Sequence, residues 1–131
     1  MPHAATFLHA PGWRRQWRWL LVAMMAATSW LAFMPSPAQP DTLPHWDKLQ
    51  HTAAFAALSV VAVLASSAQQ VWMRVALPLL GYGLFIEAVQ AWLPSRDGDI
   101  LDLLADAGGI VLGLILVRWL RRRWPSPGTS A

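Results

Sequence analysis

Four long, nearly uncharged apolar runs, each closed by a short polar or proline-containing break, leave this chain few ways to fold. The runs cover residues 17–34, 49–68, 71–93 and 100–120. At a helical rise of about 1.5 Å per residue each run is about 27–35 Å long, close to the about 30 Å hydrocarbon thickness of a bilayer. In lipid every backbone polar group needs an internal partner, so runs of this length form helices. Hydrophobic residues make up 56% of the 131 and charged residues only 13%, a balance far from that of a soluble domain. The sequence therefore predicts one all-α domain, a four-helix transmembrane bundle over residues 17–120, with tails at 1–16 and 121–131. Cysteine is absent, which excludes disulfides and thiolate metal sites.

The breaks are readable in turn. Pro35 and Pro37 end the first run, and a Pro-rich connector follows to residue 46. Asp47 is expected to cap the second helix. Ser66 to Gln70 is short enough to be only a hairpin turn, and Pro78 is expected to bend the third helix. Pro94-Ser95-Arg96-Asp97-Gly98 forms the next turn, and Asp97 or Asp99 caps the fourth helix. A basic start, a short apolar core and Pro35-Ser36-Pro37-Ala38 also fit a signal peptide cleaved near residue 38. The two prolines and the bulky Trp30 and Phe33 beside that position favour a retained helix.

Charge orients the bundle. Arg14, Arg15, Arg18, Arg74, Arg118, Arg121, Arg122 and Arg123 fall at one end of the four runs. Lys48, Arg96 and all seven acidic residues fall on the opposite half: Asp41, Asp47, Glu87, Asp97, Asp99, Asp102 and Asp106. The excess of arginine marks the cytoplasmic side, so both termini are expected in the cytoplasm. The nine tryptophans lie near run ends, where amphipathic rings sit best. These basic clusters flank apolar runs, so they speak for topology and lipid headgroups rather than nucleic acid. The expected location is a bacterial inner membrane, crossed several times.

The acidic half carries the candidate chemistry. Glu87 lies six residues before the end of the third run and Asp106 six residues after the start of the fourth. Both therefore sit about 9 Å below the same surface, on antiparallel neighbours that can turn them toward each other. Gln90 shares the face of Glu87, one turn nearer water. Asp99, Asp102, Asp106, Gly109 and Gly113 form a single stripe, acidic in its outer half and small enough for close helix contact in its inner half. In the second helix Asp47, His51 and Phe55 share a face, with Lys48 beside them. A carboxylate within a membrane costs about 2.5–3.5 kcal/mol on insertion scales, so two at one depth call for compensating partners or a function. The structural alternative is that Glu87, Gln90, Arg96 and Asp106 simply hydrogen-bond the bundle together, and Asp47 is as readily a plain cap as a site residue.

These residues resemble the VanZ-like family of bacterial membrane proteins. The resemblance rests on Asp47-Lys48-xx-His51, on Glu87-xx-Gln90, on Arg96 in its turn, and on Asp102-xxx-Asp106-xx-Gly109-xxx-Gly113, over about residues 45–115. The family usually has asparagine where this chain has Asp106, which trades an amide donor for a carboxylate. The namesake protein is associated with low-level resistance to the glycopeptide teicoplanin. The resemblance implies an envelope-facing protein with an outward polar pocket of Asp47, Lys48, His51, Glu87, Gln90, Arg96, Asp99, Asp102 and Asp106. Such a pocket would bind or respond to a cell-envelope component, an envelope lipid or a glycopeptide antibiotic, with Lys48 and Arg96 meeting anionic groups and the acids meeting cations or hydroxyls. Gly109 and Gly113 would serve packing. No resident metal or cofactor is expected, and no serine or cysteine nucleophile motif is present. Two alternatives remain: a membrane hydrolase or transferase using a metal held by His51, Glu87, Asp102 and Asp106, and a small proton-coupled transporter using the paired carboxylates.

Overall fold

The computed structural model describes residues 11–35, 45–66, 72–94, 96 and 98–123. Four helices account for nearly all of them: α1 (Pro11–Phe33), α2 (Trp46–Ala65), α3 (Trp72–Gln90) and α4 (Ile100–Arg123). The protein is all-helical, and α2, α3 and α4 are each long and apolar enough to cross a membrane. The first helix carries Arg14, Arg15 and Arg18 in its opening turns and is not among the three that meet that measure.

The helix bounds shift from the expected runs for local reasons. The first helix begins at Pro11 rather than at 17, and proline suits a first turn because its missing N–H would be unpaired there anyway. The second helix starts at Trp46 and stops at Ala65, where Ser66 turns extended and its N–H closes back on the Val63 carbonyl. Asp47 is not the cap of α2. That position belongs to His45, which takes a left-handed conformation (φ 65°) and makes no side-chain capping bond. Asp47 lies inside the first turn instead, where its charge still suits the positive end of the helix dipole. The third helix runs through Pro78 and ends at Gln90. The fourth extends through Arg121, Arg122 and Arg123, whose charge suits a helix C-terminus. The expected cleavage site at 38, Asp41, the turn at 67–70, Ser95, Asp97, Trp124 and the outer parts of both tails lie outside the described residues.

Contacts at the helix termini fix the arrangement. Arg18 Nε donates to the Ala65 carbonyl at 3.4 Å, and Arg118 lies 5.7 Å from the centre of the Trp72 ring. The start of α1, the end of α2, the start of α3 and the end of α4 therefore share one end of the bundle, the arginine end. At the other end Arg96, in the α3–α4 turn, donates to the Met34 and Leu31 carbonyls at 3.0 and 3.1 Å. The chain thus runs up, down, up and down, with α2 and α4 parallel.

The tightest packing lies between α2 and α4. A Cβ added at Gly109 would strike the Thr52 carbonyl oxygen, and one added at Gly113 would strike Ser59 Oγ and the Ala56 carbonyl oxygen. Two glycines one turn apart therefore let the α2 backbone lie directly against α4, as small residues do where lipid supplies no hydrophobic drive between helices. Thr52 Oγ1 donates across this seam to the Ala105 carbonyl at 3.2 Å. Around it Phe55, Leu58, Ile86 and Ile110 are wholly enclosed, joined by Val63, Val75, Leu79, Leu114 and Val117. Tyr82 ties α3 to α1: its hydroxyl donates to the Met25 carbonyl at 2.6 Å and meets Ser29 Oγ at 2.8 Å.

Candidate functional site

The parallel run of α2 and α4 brings two first turns side by side at the acidic end. Lys48 projects from α2 into three carboxylates, with Nζ 3.0 Å from Asp47, 2.9 Å from Asp99 and 3.1 Å from Asp102. Asp99 does a second job. Its Oδ1 accepts the Leu101 N–H at 2.9 Å and so caps α4, one of the two caps expected from the sequence. The Leu101 N–H and the Lys48 ammonium both favour the ionised form, and they hold the Asp99 carboxyl below its ordinary value of 3.8. One cation among three acids leaves this mouth net negative.

One turn deeper, three helices contribute one side chain each. His51 of α2 reaches Asp106 of α4, with Nδ1 2.9 Å from Oδ1. Glu87 of α3 approaches the same nitrogen, its Oε1 3.9 Å away. The Glu87 carboxylate is fixed through its other oxygen, which accepts the Asp99 backbone N–H at 2.9 Å. Potential ligand atoms of the three residues all lie within 4.8 Å of one another. Asp106 is fully enclosed, and Glu87 keeps only 7% of its surface. Glu87 Oε1 and Asp106 Oδ2 are both shut off from solvent without a hydrogen-bond partner. A buried oxygen left unpaired is costly, about 1–3 kcal/mol for a neutral group and more for a charged one.

A scan against family models matches residues 13–121 to the VanZ/LLP1 family. The chain belongs to that family. No curated protein and no solved structure gives a significant match.

In this VanZ/LLP1 member the residues singled out from the sequence divide into four groups. His51, Glu87 and Asp106 converge, and Lys48, Asp47, Asp99 and Asp102 form the mouth above them. Asp102 belongs to Lys48 rather than to the inner three, so the four-residue metal set drawn from the sequence becomes a set of three. Gln90 and Arg96 point elsewhere. Gln90 Nε2 donates to the Ala32 carbonyl at 3.0 Å, beside the two carbonyls taken by Arg96. Together they satisfy the orphan carbonyls at the end of α1 and place a positive charge at its negative pole. Gly109 and Gly113 lie on the α2–α4 seam.

Gly83 is a residue that sequence reasoning missed. A Cβ there would lie 2.6 Å from Asp106 Oδ2 and 3.3 Å from Phe55. The Asp106 carboxylate rests in the space this glycine leaves on α3. The signal was available, because Gly83 precedes Glu87 by four residues and so shares its face.

Proposed function

We propose that the protein is a four-span membrane protein of a bacterial cytoplasmic membrane, with both termini inside and an outward pocket that binds an envelope component. Arginine at one end and acids at the other support that orientation. The observation that carries the binding role is the pair of sealed, unpartnered oxygens on Glu87 and Asp106 beside His51. The pocket suits a cationic or hydrogen-bond-donating group, such as an amine or hydroxyl of an envelope lipid or a glycopeptide antibiotic. It suits an anionic group poorly. Lys48 is taken up by three carboxylates and Arg96 by the carbonyls of α1, so neither basic side chain is left to receive a phosphate.

The test pairs Glu87→Gln with His51→Ala in cells challenged with teicoplanin and with envelope stress, membrane levels of the protein being matched by immunoblot. Both substitutions are expected to abolish whatever protection the wild-type protein confers. Protection equal to wild type from an inserted, folded Glu87→Gln protein contradicts the pocket.

A further inference from the structure

We propose that His51, Glu87 and Asp106 bind a first-row divalent metal ion, Mn²⁺ or one of its neighbours. The inference rests on the reading of this cluster as a binding site and names what occupies its floor.

Charge is the first argument. The inner cluster holds two carboxylates in an enclosed setting, and the nearest lysine is committed to three other acids. A dication neutralises both carboxylates at once, whereas a single proton or a monovalent cation neutralises only one. Coordination is the second. Glu87 Oε1 is sealed without a hydrogen-bond partner and lies 3.9 Å from His51 Nδ1, and an ion between the three side chains supplies that oxygen with one. Geometry is the third. At metal–ligand lengths of about 2.1 Å, adjacent ligand atoms lie about 3.0–3.4 Å apart. The His51–Asp106 edge already measures 2.9 Å. The His51–Glu87 edge of 3.9 Å closes with a swing of less than about 1 Å about the Glu87–Asp99 hydrogen bond.

The donor set selects the class of ion. One imidazole nitrogen with two carboxylates lies between the all-oxygen sites of Mg²⁺ and Ca²⁺ and the sulfur-rich sites of softer metals. Three protein ligands leave positions for water or for a donor from a bound envelope molecule. On binding, Nδ1 turns its lone pair to the metal, the ring keeps its proton on Nε2, and the hydrogen bond to Asp106 is replaced by shared coordination. Any proton held by the carboxylates is released to water. Lys48 and its three acids lie above the site, so the ion enters through a negatively charged mouth.

The experiment uses the full chain purified in detergent, stripped with EDTA and titrated with Mn²⁺, with free ion read by electron paramagnetic resonance and Zn²⁺ as competitor. The expected result is one saturable ion per chain. Affinity should fall on the order of 100-fold or more in Glu87→Gln and in Asp106→Asn, and should stay within about threefold in Gly108→Ala, whose added Cβ meets nothing within 4 Å. Pulsed spectra of the Mn²⁺-loaded wild-type protein should show coupling to one imidazole nitrogen. That readout needs no variant, so it decides the matter even where a substitution prevents folding. Absence of saturable binding, or bound Mn²⁺ without nitrogen coupling, overturns the proposal. A protein that binds no ion but loses its envelope phenotype in Glu87→Gln defeats the metal and leaves the pocket standing. An ion held by His51 in a protein whose phenotype ignores Glu87→Gln does the reverse.

Discussion

Alanine at Gly83 should damage the protein, while alanine at Gly81, two residues earlier on the same helix, should not. Nothing lies within 4 Å of a Cβ placed at Gly81, and loss of a mid-helix glycine favours the helix by up to about 1 kcal/mol. At Gly83 the added carbon would stand 2.6 Å from Asp106 Oδ2, against a tolerable carbon–oxygen contact of about 3.3 Å. The carboxylate must then give way by about 0.7 Å. Asp106 Oδ1 belongs to the same rigid carboxylate, so a shift of that size distorts its 2.9 Å hydrogen bond with His51. Overpacking costs about 1–3 kcal/mol, and a hydrogen bond to a charged group contributes about 1.5–3 kcal/mol. Because the two losses share one side chain they do not add fully, and a net cost of about 2–4 kcal/mol is expected. The assay is reversible unfolding in mixed micelles, followed by tryptophan fluorescence, for wild type and both variants. A Gly83→Ala protein within about 0.5 kcal/mol of wild type, or a Gly81→Ala protein equally destabilised, would refute the placement of Asp106 against α3.

Two further outcomes follow from the same geometry. In α4, Gly109→Ala should cost about 1–3 kcal/mol because its Cβ meets the α2 backbone at Thr52 and Ala56, while Gly108→Ala should be near neutral because its Cβ meets nothing; the same unfolding assay separates them. Asp99 has a folded-state value held below 3.8, so its contribution to stability is complete above the unfolded value and is lost as pH falls through the lower, folded one. A carboxyl-carbon NMR titration in micelles should place the Asp99 midpoint below 3.8, and a midpoint at or above that value contradicts its bonds to Leu101 and Lys48.

Much of this was legible in the chain, and the reasons differ by residue. Period and depth brought Glu87 and Asp106 together, because two counts of six from opposite ends of a tight turn fix a common level. The stripe from Asp99 to Gly113 foretold close packing, but one helix cannot name its partner. That the seam belongs to α2 emerges only where Gly109 meets Thr52. Arg96 and Gln90 misled for a related reason. Polar side chains near a cluster of acids look like members of it, yet the free carbonyls at the end of α1 compete for the same donors, and those carbonyls carry no mark in the sequence. The cap of α2 fell to His45 rather than Asp47, a two-residue error of the kind helix starts invite.

The orientation of the acidic end bears most directly on the proposal of an outward pocket. The chain has no cysteine of its own, so single cysteines report cleanly. Trp92, just past the end of α3, is 89% exposed, and Arg122 lies at the opposite end of the bundle. In intact cells a membrane-impermeant maleimide should label Trp92→Cys at once and Arg122→Cys only after lysis. Labelling in the reverse order would put His51, Glu87 and Asp106 at the cytoplasmic face and contradict the outward pocket.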